Sequence, residues 1–163
     1  MKTAVLMYAD SETDANLYYA TCFLVGDPVP YLEVGRRKLL ILNDLEIGRG
    51  REQARVDEVL SMTDLARALG KGATLERILE KALRDRGCGA CEVPGNFPID
   101  LADRLRARRI RVTPRTGPFY PRRLLKSPGE IRAIEAAQRA TEEAVHRALD
   151  LLRRAKIRGH KIY

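Results

Sequence analysis

The sequence predicts an α/β fold: a mixed β-sheet flanked by helices, followed by one long C-terminal helix. Three observations lead there. Short apolar or alternating runs, Thr3 to Tyr8, Leu39 to Leu42 and Arg109 to Thr113, have strand length and strand periodicity. Between them lies a helix-period segment in which Leu75, Ile78, Leu79 and Ala82 share one face. After residue 126 a helix-start signature opens an unbroken stretch of about 30 residues, or about 45 Å at 1.5 Å per residue.

The elements follow in order. Thr3 to Tyr8 ends at Asp10 and Ser11 and reads as the first strand. Asn16 to Phe23 is rich in aromatic and β-tolerant residues, closes at Gly26-Asp27-Pro28, and reads as a second strand. Pro30 to Val34 and Leu39 to Leu42, parted by Gly35 and a basic pair, form a hairpin. Val56, Val59 and Leu60 suggest a short strand, and Thr63 is placed to cap a helix from Asp64 to Leu69. Thr74 starts the amphipathic helix already noted, with Gly87 at its C-terminal cap. Cys91 to Val93 is a strand, Asp100 caps Leu101 to Ala107, and Arg109 to Thr113 closes the series. Strands interleaved with helices favour a mixed sheet with helices on its faces.

Residues 114–126 hold three prolines and a glycine and read as a linker. Residues 1–125 are therefore one α/β domain, and residues 126–163 a long helix with a basic tail. Ser127-Pro128-Gly129-Glu130 combines a capping serine, a proline in the first turn and a glutamate three residues after the cap. The helix runs to about Ile157. Ile131, Ile134, Thr141, Val145, Ala148, Leu152 and Ala155 recur near a 3.5-residue spacing, and Ala133, Ala136, Ala137, Ala140 and Ala144 allow close approach of a neighbour.

Composition limits the function. Of 163 residues, 30 are Lys or Arg and 22 Asp or Glu, a formal net charge of +8, with 45% apolar residues, enough for a core. The longest aliphatic run, Leu39 to Leu42, is far short of a membrane span, so no membrane partner is expected. The N-terminus lacks the regions of a signal peptide, which makes the cytoplasm the expected location. Cys22, Cys88 and Cys91 are too few for a disulfide framework. Cys88-Gly89-Ala90-Cys91 has redox-pair or zinc-half-site spacing, but no second pair exists and no helix opens after it. His146 and His160 are the only histidines, which leaves little for imidazole-based metal chemistry. Arginines crowd the stretch from Arg104 to Arg123, but Asp85, Asp100 and Asp103 lie just ahead of it and no nucleic-acid motif accompanies them. Gly48-Arg49-Gly50 and Gly70-Lys71-Gly72 complete no phosphate loop, and no nucleophile elbow is present.

Two stretches carry a family resemblance. Asn16-Leu17-Tyr18-Tyr19-Ala20-Thr21-Cys22-Phe23, leading to Leu39 through Glu46, is similar to a Tyr-Tyr-x-x-Gly-Phe segment followed by an aliphatic strand, with Cys22 in the place of the glycine. Lys126-Ser127-Pro128-Gly129-Glu130-Ile131 and the helix beyond it look like a Lys-Ser-x-x-Glu-Ile junction and interdomain helix. Together they resemble the non-catalytic N-terminal domain of the creatinase, prolidase and aminopeptidase P family of Xaa-Pro-directed metallopeptidases. The resemblance implies a ribonuclease H-like topology. It further implies that catalysis belongs to a separate pita-bread domain, where two aspartates, a histidine and two glutamates hold two divalent ions such as manganese, cobalt or zinc.

That ligand set does not occur in this chain, so by itself it is expected to hold no metal or other cofactor, to have no catalytic residues and to be inert. The resemblance also implies a wall of the substrate pocket around the loop at Gly26, with Tyr19, Phe23 and Asp27 as its residues. It implies dimerisation as well, and the apolar stripe of the long helix, with no catalytic domain to lie on, is expected to pair with another copy, making the chain at least a homodimer through a face that includes Ile134, Val145 and Leu152. Xaa-Pro peptides are partners only together with the catalytic domain. The alternative is a stand-alone interaction domain with a basic, nucleic-acid-binding surface, although nucleic acid is not the expected partner.

Overall fold

The computed structural model describes residues 2–158 and 160–162. The chain divides into two compact units, Met1–Tyr120 and Pro121–Tyr163. The first is built on a six-stranded sheet: β1 (Lys2–Ala9), β2 (Val29–Val34), β3 (Arg37–Leu42), β4 (Glu58–Ser61), β5 (Cys88–Val93) and β6 (Arg111–Pro114). Their order is β4-β3-β2-β1-β5-β6. β1, β2 and β3 form an antiparallel meander, whereas β5 pairs parallel to β1, β6 to β5, and β4 to β3. A meander with two parallel strands added on the far side of its first strand is the ribonuclease H-like arrangement, and β4 extends it by one strand beside β3.

Helices cover both faces of this sheet, so its central strands are apolar on both sides and read as continuous aliphatic runs. Leu39 and Ile41 of β3, with Leu6 and Leu32, pack under α4 (Leu75–Arg84) and α5 (Ile99–Ala107) through Ile78, Leu79, Leu83, Leu101 and Leu105. α3 (Met62–Leu69) lies against the edge of that cluster through Leu65 and Leu69. Leu40 and Leu42 point the other way, with Met7 and Tyr31, toward α1 (Ala15–Thr21) and α2 (Ile47–Gln53). α2 sits so close to β3 that a Cβ at Gly50 would collide with the Leu42 side chain.

Several elements differ from the sequence expectation. Residues 16–23 are not a strand: they hold helix α1 and the turn after it. The Asp14 carboxylate accepts from the backbone N–H of Asn16 at 2.8 Å and of Leu17 at 3.0 Å, and Leu17, Ala20 and Thr21 are buried at helical spacing. This cap and the buried face outweigh the strand preference of Tyr18 and Tyr19. Cys22 ends the helix in the left-handed region at φ 48°. The glycine of the resembling pattern falls on a position that glycine adopts without steric cost.

Other boundaries shift by a few residues. Ser61, rather than Thr63, caps α3, accepting from Asp64 N at 3.1 Å, while Thr63 donates to Asp44 at 2.9 Å. Thr74 precedes α4, but its hydroxyl donates to the Glu76 carboxylate instead of accepting from the backbone. α5 begins at Ile99 after Pro98, with Asp100 in its first turn paired to Arg104 at 2.6 Å. β5 starts at Cys88, not Cys91, and Gly87 (φ 70°) follows the Asp85 cap of α4. β6 starts at Arg111 because Arg109, at φ 62°, is in the preceding turn.

The second unit opens with a 3-10 turn, Pro121–Leu124, and is mostly α6 (Pro128–Arg154). The capping box is complete: Ser127 Oγ accepts from Glu130 N at 3.3 Å, and Glu130 Oε2 accepts from Ser127 N at 2.8 Å. α6 ends at Arg154, and Ile157 belongs to a short hairpin, β7 (Ile157–Arg158) with β8 (Lys161–Ile162). None of the residues of α6 is buried. Among the described residues no helix is long and apolar enough to cross a membrane.

Candidate functional site

Glu33 of β2 and Glu92 of β5 both stand opposite Val5 of β1, so the two carboxylates share one sheet face on either side of the central strand. Aromatic groups and a guanidinium gather over them. Tyr31 and Tyr120 each donate a hydroxyl hydrogen to Glu33 Oε2, at 3.1 and 3.3 Å. Arg115 donates from Nε and Nη2 to Glu92 Oε2 at 2.8 and 2.5 Å, and from Nη1 to the Phe119 carbonyl at 3.0 Å. Its guanidinium lies 4.8 Å from the centre of the Phe119 ring. Phe119 meets Tyr120 edge-on at 5.3 Å, and Tyr120 is 5.6 Å from Tyr19.

Burial holds both the Tyr31 and Tyr120 phenols above the usual tyrosine range, reinforced at Tyr31 by Tyr120 and then Glu33 and at Tyr120 by Glu33. They remain protonated donors at neutral pH and have no nucleophilic character. The cluster can position a chain segment and present aromatic surface; it offers no general base aimed at an open site.

The three pocket-wall residues nominated from the sequence have different placements. Tyr19 is half-buried on α1 and belongs to this aromatic rim. Asp27 is exposed at the loop tip between α1 and β2. Phe23, 1% exposed, is in the core. The Arg49 guanidinium lies 4.9 Å from its ring and donates to the Leu24 carbonyl at 2.5 Å. Ser11 ties the same loop to the end of β1, accepting from Val25 N at 2.8 Å and donating to the Phe23 carbonyl at 2.6 Å. Phe23 is thus the loop's anchor, and the surface of the loop is made by its neighbours. Ile134, Val145 and Leu152 are all exposed on α6.

Sequence reasoning missed Tyr31, Glu33, Glu92, Arg115, Phe119 and Tyr120. The available signal was a glutamate interrupting each of two otherwise apolar strands, β2 and β5. Such residues need a partner, and here the partners come from the segment read as a linker.

The remaining candidates resolve into structure. Cys88 and Cys91 are buried within β5, and burial pushes the Cys91 thiol up to about 12. A thiol so shifted is a poor nucleophile and a poor metal ligand. His146 and His160 are exposed, and among the described residues no group of three or more His, Cys, Asp or Glu is placed to hold a metal ion. A groove of about 560 Å³ between α4 and α5 is lined by Arg84, Arg104, Arg108 and Arg109, but Glu80 pairs with Arg84 and Arg108 at 2.9 Å each, and Asp100 with Arg104. Arg106 is likewise paired with Asp103 at 2.7 Å. Much of the arginine cluster is matched to this chain's own carboxylates.

No protein-family model and no curated protein matches the sequence. Solved structures do. An Xaa-Pro dipeptidase from Bacillus anthracis matches with a TM-score of 0.72 and 15% identity over 90% of this chain and 38% of that one. The prolidase from Pyrococcus horikoshii OT3 matches with a TM-score of 0.69 and 20% identity over 91% of this chain and 38% of that one. An X-Pro aminopeptidase from Thermotoga maritima MSB8 gives 0.68 and 21% over 90% and 41%. The chain therefore spans about two-fifths of the length of these structures, and the matched part is their N-terminal part. Its fold is that of the N-terminal domain of prolidases and related Xaa-Pro peptidases.

Proposed function

We propose that this chain is an accessory domain of an Xaa-Pro-directed metallopeptidase, forming part of the substrate-pocket wall and the dimer contacts of the assembled enzyme in the cytoplasm. The observation that carries this reading is the match of nine-tenths of the chain to two-fifths of peptidases that act beside proline. The catalytic chemistry, including two divalent ions such as manganese, cobalt or zinc, belongs to the partner catalytic domain, and Xaa-Pro peptides bind only in its presence. On this domain the loop carrying Asp27 and the aromatic rim at Tyr19 supply the wall, with Phe23 holding the loop from beneath. The internal pairing of Arg84, Arg104 and Arg108 leaves the nucleic-acid alternative without support.

The test is a chimera in which this chain's α/β domain replaces the corresponding part of the Pyrococcus horikoshii prolidase. The expected result is a folded, metal-dependent Xaa-Pro peptidase whose tolerance for longer peptides changes with Asp27→Ala or Tyr19→Ala. The chain alone, supplied with manganese, cobalt or zinc, should hydrolyse no Ala-Pro peptide. Turnover by the isolated chain would overturn the reading, as would a folded, metal-loaded chimera indifferent to both substitutions.

A further inference from the structure

α5 ends in a turn that glycine normally makes. Arg108 caps the helix, the Arg109 N–H donates to the Arg106 carbonyl at 2.9 Å, and the Ile110 N–H reaches back to the Leu105 carbonyl at 3.1 Å. This closure puts the residue after the cap in the left-handed region, the conformation Gly87 holds at φ 70° after α4. After α5 the residue is Arg109, at φ 62°. A residue with a Cβ holds that conformation against a steric cost that glycine does not meet.

What the arginine adds is a guanidinium in the groove between α4 and α5, which Arg109 lines together with Arg84, Arg104, Arg108, Glu76 and Glu80. Two of its neighbours are fixed in place. Arg84 Nε and Arg108 Nη1 donate to the two oxygens of Glu80 at 2.9 Å each, and Arg84 Nη2 donates to the Arg108 carbonyl at 3.0 Å. These bonds hold both forks and leave donors to spare on each. Among the described residues none pairs with the Arg109 guanidinium. Cations at helix C-termini complement the macrodipole, which accounts for Arg84 and Arg108 but not for an unpaired arginine on a strained backbone.

Further along the groove Glu76 is only 8% exposed, and its Oε2 is buried without a hydrogen bond. Arg104 Nη1 stays 3.9 Å from that oxygen because the same guanidinium is held by Asp100 at 2.6 Å. A buried carboxylate oxygen in this state calls for a donor. Glu76 lies four residues from Glu80 and eight from Arg84, about 6–12 Å along α4.

We propose that this groove binds a small phosphate monoester that carries hydroxyl groups, such as a sugar phosphate. Four arginines against two glutamates leave an excess of positive charge, which suits a monoester of about −1.5 to −2 at neutral pH. Arg109 and the free edges of Arg84 and Arg108 supply donors to the phosphate, for which the planar guanidinium fork is well shaped. Glu76 accepts from a ligand hydroxyl when Arg104, whose side chain is half exposed, turns aside. A site for one dianion is no track for a polymer of single charges, and it stands apart from the accessory-domain reading.

The experiment follows amide chemical shifts of the full 163-residue chain at low salt while ribose 5-phosphate, inorganic phosphate, dimethyl phosphate or ribose is added. Ribose 5-phosphate should give saturable shifts confined to α4, α5 and the turn at Arg109, with Kd below about 1 mM. Inorganic phosphate should bind more weakly, and the singly charged diester and the uncharged sugar not measurably. Arg109→Gly separates binding from folding: it should raise the melting temperature yet weaken ribose 5-phosphate by about tenfold or more. Glu76→Ala should abolish the preference for ribose 5-phosphate over inorganic phosphate. No saturable binding, equal binding of dimethyl phosphate, or a stabilised Arg109→Gly that binds as before would overturn the site. An unchanged preference in Glu76→Ala would overturn the hydroxyl contact and with it the ligand class. None of these results bears on the chimera, which tests the accessory-domain reading separately.

Discussion

Tyr120 donates its hydroxyl hydrogen to Glu33 at 3.3 Å, closing a loop of 87 residues and fastening the end of the first unit onto β2. Glu33 also accepts from Tyr31, so one carboxylate holds two phenols on a partly buried face. Replacing Tyr120 by phenylalanine keeps the ring contacts with Tyr19 and Phe119 and removes only the hydrogen bond. The expected cost is about 0.5–1.5 kcal/mol in urea unfolding.

The same pair sets a response to alkaline pH. Both phenols have their folded pKa raised above the ordinary value of 10, by burial first, then by Tyr120 and Glu33 for Tyr31 and by Glu33 for Tyr120. A raised folded value favours the protonated form in the native state, so this contribution is fully present below pH 10 and is lost as pH climbs beyond it. Melting temperature should fall above that point, and the fall should be shallower in Tyr31→Phe. An equal slope in the two proteins would contradict the assignment.

Cys22 holds a left-handed conformation that costs a residue with a Cβ roughly 1–2 kcal/mol. Cys22→Gly relieves this strain but loosens the unfolded chain, so a net gain of about 0.5–1 kcal/mol is expected. Cys22→Val should lose stability, since β-branching worsens the same clash. Thermal denaturation of the two variants checks the opposite signs.

Asp14 caps α1 through Oδ1 and accepts from the Asn96 side chain at 3.0 Å through Oδ2, linking the loop after β1 to the loop after β5. Asp14→Ala should cost about 1–2 kcal/mol. Asn96→Ala should cost less, because only one of these contacts is lost. Chemical denaturation of both variants and their double mutant would show whether the two losses couple.

At Gly50 the fit of α2 onto β3 leaves no space for a methyl group beside Leu42. Gly50→Ala should therefore destabilise by about 1–3 kcal/mol despite alanine's better helix propensity. Adding Leu42→Val should recover part of that loss, and a double mutant no more stable than Gly50→Ala would refute the packing account.

Most of this architecture was legible because periodicity reports burial. Leu39 to Leu42 alternate between two core clusters, and the Ser127 and Glu130 pair opens α6 where its spacing says it should. Residues 16–23 were misread because local composition favoured a strand, while the deciding group, Asp14, lies just upstream and acts only through cap geometry. The aromatic rim was opaque for a different reason. Glu33 and Tyr120 are far apart in sequence, and no local pattern in a proline-rich stretch states which strand it will return to. Phe23, expected on the pocket wall beside the Gly26 loop, lies in the core because the turn at Cys22 directs it there, a left-handed turn that no local pattern announces.

β1 is bonded to β2 on one side and to β5 on the other, and these two neighbours arrive at very different times during synthesis. The meander can zip as soon as Leu42 has left the ribosome, whereas the opposite flank of β1 stays open until Val93 emerges, and Phe119 and Tyr120 cannot settle until later still. For that interval the nascent chain exposes a naked hydrogen-bonding edge, so slowed translation between Leu42 and Cys88 should prolong the stage at which this protein is most vulnerable to clumping.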